Sequence, residues 1–173
     1  MKLVPFLNGV VTAPHGVTDL IHAYKYDNIE NLLRIYTGSF IFTGIAETVH
    51  LHQVIDIFFI TSSIIHFSHD FNVVSNSRIN KLLLSSILIA SSPIIGVNNF
   101  SIYLLLFHTP RHYIKSWKFI KDKKKMLFLL ILLFSFPGYY IFDNINNLNP
   151  NLLSITETII ISHIIYNEKY IDT

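Results

Sequence analysis

Long runs of apolar residues, separated by short polar stretches, dominate the pattern of the chain. An α-helix needs about 20 mostly apolar residues to cross the hydrocarbon core of a bilayer. The pattern predicts membrane spans at Leu3–Ala23, Ile29–Val49, Gln53–Phe71, Leu82–Val97, Phe100–Phe119, Met126–Phe142 and Asn151–Tyr166. The predicted fold class is therefore all-α, a polytopic membrane helix bundle of about seven transmembrane helices. We expect residues 1–173 to form a single transmembrane domain.

The charges of the loops test this count independently, because cytoplasmic loops carry an excess of Lys and Arg. With seven spans, only Lys2 faces one side of the membrane, and the basic residues that share the other side are Lys25, Arg78, Lys81, Lys115, Lys118, Lys121, Lys123, Lys124, Lys125 and Lys169. We therefore predict an integral, multi-pass protein of the cell membrane, with its N-terminus outside and its C-terminus in the cytoplasm. The cluster from Lys121 to Lys125 is explained as a topology anchor or as a binding site for anionic lipid.

The composition fits a lipid environment, since 51% of the 173 residues are hydrophobic and only 14% are charged, against about 25% charged in soluble domains. The absence of cysteine excludes disulfides and thiolate metal sites, so a metal would need histidine or carboxylate ligands. The net charge of +2 is small, and the basic residues lie between apolar runs. The expected partner is therefore the lipid bilayer and not nucleic acid.

Histidines recur inside the odd-numbered predicted spans, where ionisable side chains are costly and often mark a site. A helical rise of about 1.5 Å per residue puts His15, His66, His112 and His163 roughly 18 Å from the outer ends of their spans, with His108 one turn shallower. Imidazoles delivered to one layer by separate helices indicate a metal site. We predict that His15, His66, His108 and His112 bind one metal ion. Such a set fits Zn, Cu, Fe or Ni, and open coordination positions would suit oxygen activation by Fe(II).

Spacings of four residues place side chains on one helix face, and three pairs have this spacing: His15 with Asp19, His66 with Asp70, and His108 with His112. A ligating imidazole usually donates its other ring N–H to a carboxylate, so Asp19 and Asp70 are predicted to support the ligands. His163 fits three roles, which are a fifth ligand, a hydrogen-bond donor to the site, or a contact between helices. The helix is expected to break at Pro14–Gly16. The remaining histidines are expected near the water interface: His22, His50, His52 and His69.

Four short motifs follow one another in the order known from one enzyme family. Pro14–Asp19 resembles its PHGxxD signature, Ile65–Asp70 its FHFGxxD motif, Phe107–His112 its WHxxRH motif and Ile161–His163 its late PH element. Over most of its length the chain thus resembles the Brp/Blh membrane β-carotene 15,15'-dioxygenases. Ser68 stands where the family has glycine, Ser162 stands where it has proline, and the chain is shorter than usual members.

The resemblance implies a non-haem Fe(II) enzyme that binds β-carotene, or a related carotenoid or apocarotenoid, and splits its central double bond with O2 to give retinal. His15, His66, His108 and His112 match the iron ligands of the family. The resemblance also implies a functional link to a retinal-binding rhodopsin.

Two other functions share some of these residues. A di-iron membrane desaturase or hydroxylase also uses the spacing of His108 and His112, but it needs HxxHH clusters, which the sequence lacks. The second is a non-enzymatic membrane carrier or opsin-associated accessory protein with a buried polar core of His and Asp.

Overall fold

The computed structural model describes residues 3–144 and 147–171, and it is 92% helical with no strand in those ranges. The all-α prediction is thereby confirmed. The α-helices are α1 (Leu3–Leu7), α2 (Thr18–Lys25), α3 (Ile29–Thr48), α4 (His52–Ser68), α5 (Arg78–Tyr103), α6 (Thr109–Ile120), α7 (Lys124–Asn144) and α8 (Pro150–Tyr170). Lys2 and residues 145–146 of the last predicted outer loop lie outside the described residues.

The first predicted span is not one regular helix. After α1 the chain continues as a π-helix over Asn8–Thr12 and then as a 3₁₀-helix over Ala13–Val17, before α2 begins. Pro14 stands at the start of the 3₁₀ segment, where its missing N–H and fixed φ are compatible with a change of helix type. The predicted break at Pro14–Gly16 is confirmed.

Irregular helical turns also occur at two of the other three histidine motifs. A π-helix over Leu104–His108 leads directly into α6, and a 3₁₀-helix over His69–Val73 follows α4. Such π segments are rare in proteins and frequently lie at functional sites. The sequence pattern predicted the helices but gave no signal for the π-helical turns.

The chain divides into two compact units, and each unit combines two stretches of sequence. Unit 1 comprises Met1–Leu32 with Ile95–Asn149, and unit 2 comprises Leu33–Ile94 with Pro150–Thr173. Within unit 1 the N-terminal helical turns pack along α7, and α2 packs on α6. Within unit 2, α4 packs on α8. The expectation of one domain over residues 1–173 stays a prediction.

Two glycines bring the N-terminal segment of unit 1 into backbone contact with α7. A β-carbon added to Gly9 would lie 2.5 Å from the backbone nitrogen of Tyr139 and 2.7 Å from its α-carbon. A β-carbon added to Gly138 would overlap the side chain of Ala13 and lie 3.2 Å from the α-carbon of Gly9. These distances leave no room for any side chain, so the contact requires glycine on both segments.

Two helical stretches, Arg78–Gly96 and Lys124–Asn144, are long and apolar enough to cross a membrane. Both leave large apolar side chains exposed: Leu83, Ile87 and Ile94 on α5, and Phe128, Leu129, Leu132, Leu133 and Phe136 on α7. Exposure of apolar surface to water is unfavourable by roughly 25 cal/mol per Å², which favours a lipid environment for these faces. The stretches coincide with the fourth and sixth predicted spans. The other five spans and the orientation stay predictions.

Candidate metal centre

Three of the predicted ligands come together in unit 1. One ring nitrogen from each of His15, His108 and His112 lies within 4.8 Å of the other two. The ring centroids are 5.4 Å apart for His15 and His108, 5.1 Å for His15 and His112, and 4.6 Å for His108 and His112. Because imidazole nitrogens bind first-row metals at about 2 Å, the three ring nitrogens are close enough together to be candidate ligands of one ion.

The donor set fits a divalent transition metal. His108 and His112 are almost fully buried, with 3% and 1% of their surface exposed, and His15 is partly buried. A buried imidazole favours its neutral form, which is the form that binds a metal. Three neutral nitrogen ligands suit Fe, Zn, Cu or Ni and leave coordination positions open for other molecules.

The pair His108 and His112 follows directly from local helix geometry. His108 ends the π-helical turn and His112 lies in the first turn of α6, four residues later. Side chains with this spacing lie on the same helix face, and their rings meet at an interplanar angle of 61°. The predicted juxtaposition of these two residues is confirmed.

His15 is oriented by the backbone of its own segment. Its Nδ1–H donates a hydrogen bond to the carbonyl oxygen of Thr12, and the hydroxyl of Thr18 donates to the carbonyl of His15 at 2.6 Å. Since a carbonyl oxygen can only accept, the neutral ring carries its proton on Nδ1 and its lone pair on Nε2. Nε2 is therefore the atom of His15 that can bind a metal.

Asp19, the predicted support for His15, lies in the first turn of α2 with 1% of its surface exposed. The hydrogen bond described for Nδ1 of His15 instead goes to a backbone carbonyl three residues earlier. The role of Asp19 stays a prediction.

The other predicted site histidines, His66 and His163, meet in unit 2, where their ring centroids are 5.6 Å apart. His66 is 1% exposed and His163 is 6% exposed. Asp70, the predicted support for His66, lies half-buried in the 3₁₀ turn after α4. The inclusion of His66 in a four-histidine site and the role of Asp70 stay predictions.

Glu168 is the carboxylate found at His66. Nδ1 of His66 donates to Oε1 of Glu168 at 3.1 Å, and Nε2 of His69 donates to Oε2 at 3.0 Å. Burial alone would raise the pKa of Glu168, but the hydrogen bonds and charges of His66 and His69 outweigh it and lower the pKa to about 2. The bond through Nδ1 leaves the lone pair of a neutral His66 on Nε2.

Sequence reasoning missed Glu168 and placed His69 only at the interface. The signal that could have found it is modest: Glu168 lies on the helix that carries His163, just beyond the predicted end of the span at Tyr166. Glu168 therefore lies at the predicted cytoplasmic end of the seventh span. The third span, which carries His66 and His69, has its predicted cytoplasmic end at the same membrane surface.

His163 is hydrogen-bonded to Asn167, one turn further along α8. The amide Nδ2 of Asn167 donates to the backbone carbonyl of His163 at 3.0 Å and to its Nδ1 at 3.1 Å. The carbonyl contact identifies the amide atom as nitrogen, so Nδ1 of His163 accepts. A neutral His163 with this hydrogen bond carries its proton on Nε2, and its role among the three stays a prediction.

We expect Glu168→Gln to lower the free energy of unfolding. The loss should lie near the lower end of about 1.5–3 kcal/mol, which is the usual contribution of hydrogen bonds to a charged group. The amide offers one acceptor where the carboxylate offers two, so one imidazole N–H loses its partner. The free energy of unfolding in mild detergent, followed by far-ultraviolet circular dichroism, measures the effect.

Glu47→Gln is the matched control. Glu47 pairs with His52 at 3.0 Å, but both side chains are exposed, so this change is expected to alter stability by less than about 0.5 kcal/mol. Equal effects of the two substitutions would contradict a supporting role for Glu168.

Comparison with known proteins finds no family model, no curated protein and no solved structure that matches the chain. The residues of the candidate centre and the short motifs that contain them therefore carry the inference of function.

Proposed function

We propose that the chain is an integral, multi-pass membrane enzyme that uses non-haem Fe(II) and O2 to cleave β-carotene, or a related carotenoid or apocarotenoid, at the central double bond and release retinal. The observation that carries this proposal is the cluster of His15, His108 and His112 in unit 1. The sequence supports the proposal as well, because the three residues belong to two motifs, PHGxxD and WHxxRH, that lie more than 80 residues apart.

Iron, when bound, would supply the activation of O2. The protein's own residues would hold and shield it. The carbonyl of Thr12 keeps the lone pair of His15 on Nε2, and the burial of His108 and His112 keeps water away from their rings.

The substrate class follows from the membrane. A carotenoid dissolves in the hydrocarbon layer, so it would reach the histidines sideways from the bilayer and would need no aqueous channel. Such a substrate has no group for a protein nucleophile to attack, and the contribution of the protein would be positioning and exclusion of water. This expectation agrees with the apolar, exposed faces of α5 and α7.

Expression in a host that accumulates β-carotene tests the proposal. We expect cells that produce the wild-type protein to lose their orange colour and to contain retinal, and His15→Ala to abolish both changes. Pigment extraction with chromatography of retinal is the measurement. Retained colour in cells with abundant wild-type protein that contains iron would reject central carotene cleavage.

The same preparation separates the enzyme from the carrier or accessory protein. If purified wild-type protein holds no stoichiometric iron, and His108→Ala changes only its stability, the histidines form a polar core without a metal. That result would favour the non-enzymatic function.

A further inference from the structure

Four lysines surround an open cavity where α7 begins. Lys121, Lys123, Lys124 and Lys125, here called the lysine cluster, line a cavity of about 510 Å³ together with Tyr24 and Met126. The ammonium of Lys123 lies 5.0 Å from the centroid of the Tyr24 ring, a cation–π distance that steadies its position. The cavity therefore has a concentrated positive charge and one aromatic wall.

A second cavity of about 430 Å³ adjoins the cluster on α7 and is lined by Lys124, Lys125, Phe128 and Leu129. Lys124 and Lys125 belong to both cavities. Phe128 and Leu129 are 61% and 65% exposed, and they begin the apolar face of a helix long enough to cross a membrane. Positive charge thus passes into an apolar helix face within one helical turn.

We propose that these two cavities bind one anionic phospholipid, with its phosphate among the lysines and an acyl chain along Phe128 and Leu129. The charge complements a phosphate, and the apolar face complements a hydrocarbon chain. A topology anchor accounts for the charge, but it does not require the cavity that Tyr24 of α2 lines together with the lysines. The inference rests on the membrane location in the proposed function, but not on iron or carotenoid.

The test measures lipid binding to the full chain purified in neutral detergent, by native mass spectrometry with phosphatidylglycerol or phosphatidylcholine added. We expect phosphatidylglycerol to bind in preference to phosphatidylcholine. The double variant Lys124→Gln/Lys125→Gln should weaken phosphatidylglycerol binding about 25-fold, since each lysine near a membrane surface contributes about a fivefold factor. Leu129→Ser should weaken it as well, because it makes the apolar face of α7 polar.

Arg78→Gln/Lys81→Gln is the matched control, because it removes two charges from the same predicted side of the membrane at the start of the other apolar helix. We expect it to leave binding within about twofold of wild type. Equal losses in the two double variants would overturn the lipid site and leave a charge effect alone. Displacement of the lipid by inorganic phosphate at similar concentration would also overturn it, since the acyl chain would then contribute nothing.

The outcome is distinguishable from failure of the proposed function. Release of the protein from membranes by an alkaline wash would overturn both proposals together. Selective phosphatidylglycerol binding by a protein that does not cleave carotene would support the lipid site and reject the enzyme.

Discussion

Replacement of either buried histidine of the centre by alanine should lower metal affinity at least about 100-fold while α-helix content stays unchanged. His108→Ala and His112→Ala each remove one of three imidazoles whose ring nitrogens lie within 4.8 Å of one another. Loss of a residue that only supports a ligand already costs about 10–100-fold in affinity, so loss of a ligand should cost more. Elemental mass spectrometry of protein purified without oxygen in the presence of Fe(II) measures the occupancy.

His22→Ala provides the control for removal of a buried imidazole. His22 lies in the same unit with 7% of its surface exposed, and its ring packs on Phe119 at 5.0 Å, outside the three-histidine cluster. We expect this variant to lose some stability, because it leaves a cavity, and to keep its metal. If His108→Ala binds Fe(II) as tightly as His22→Ala does, the cluster is not a metal centre.

The part of the centre that could be predicted from sequence is the part that depends on local geometry. The spacing of His108 and His112 determines that their side chains share a face, whatever the rest of the chain does. The break at Pro14–Gly16 follows from the chemistry of proline. That His15 meets this pair could be predicted only from membrane depth and from the family motifs, because those two arguments relate residues far apart in sequence.

The carboxylate that binds His66 and His69 could not be predicted, because it depends on packing between distant segments. His66 and Glu168 are 102 residues apart, and local periodicity says nothing about such a pair. The i, i+4 rule suggested Asp70, whose role stays a prediction, and it gave no signal for Glu168 in the last turn of α8. The backbone carbonyl of Thr12, which accepts from His15, could not be predicted either, because every residue has a carbonyl and the sequence does not single one out.

The helical class of the fold could be predicted, but the membrane count could not be established. Apolar runs predict helices with or without a bilayer, and all seven predicted spans fall in largely helical sequence. Only two described stretches combine the length and hydropathy of a span. Serines, asparagines and histidines lower the hydropathy of the others, and three of those histidines, His15, His108 and His112, form the candidate centre.

The second large effect is expected at the glycine contact of unit 1, where Gly9→Ala and Gly138→Ala should each destabilise the protein by about 1–3 kcal/mol or more. Either substitution puts a methyl group onto atoms of the opposing segment, including the backbone of Tyr139 for Gly9. The backbone cannot move aside as a flexible side chain would, so the N-terminal turns must separate from α7. His15 lies on the segment that would shift, and metal affinity should fall as well.

Gly38→Ala and Gly44→Ala are the matched controls and should change stability in the opposite direction. Both glycines lie within α3, and a β-carbon added to either meets nothing within 4 Å. Alanine favours a helix over glycine by about 0.8–1 kcal/mol, so these variants should unfold at higher temperature than wild type. The same gain is available at Gly138 within α7, and the steric clash is expected to exceed it. The thermal unfolding temperatures of all four variants in one detergent test this expectation. Stabilisation by Gly138→Ala would mean that the N-terminal segment does not pack on α7 as described.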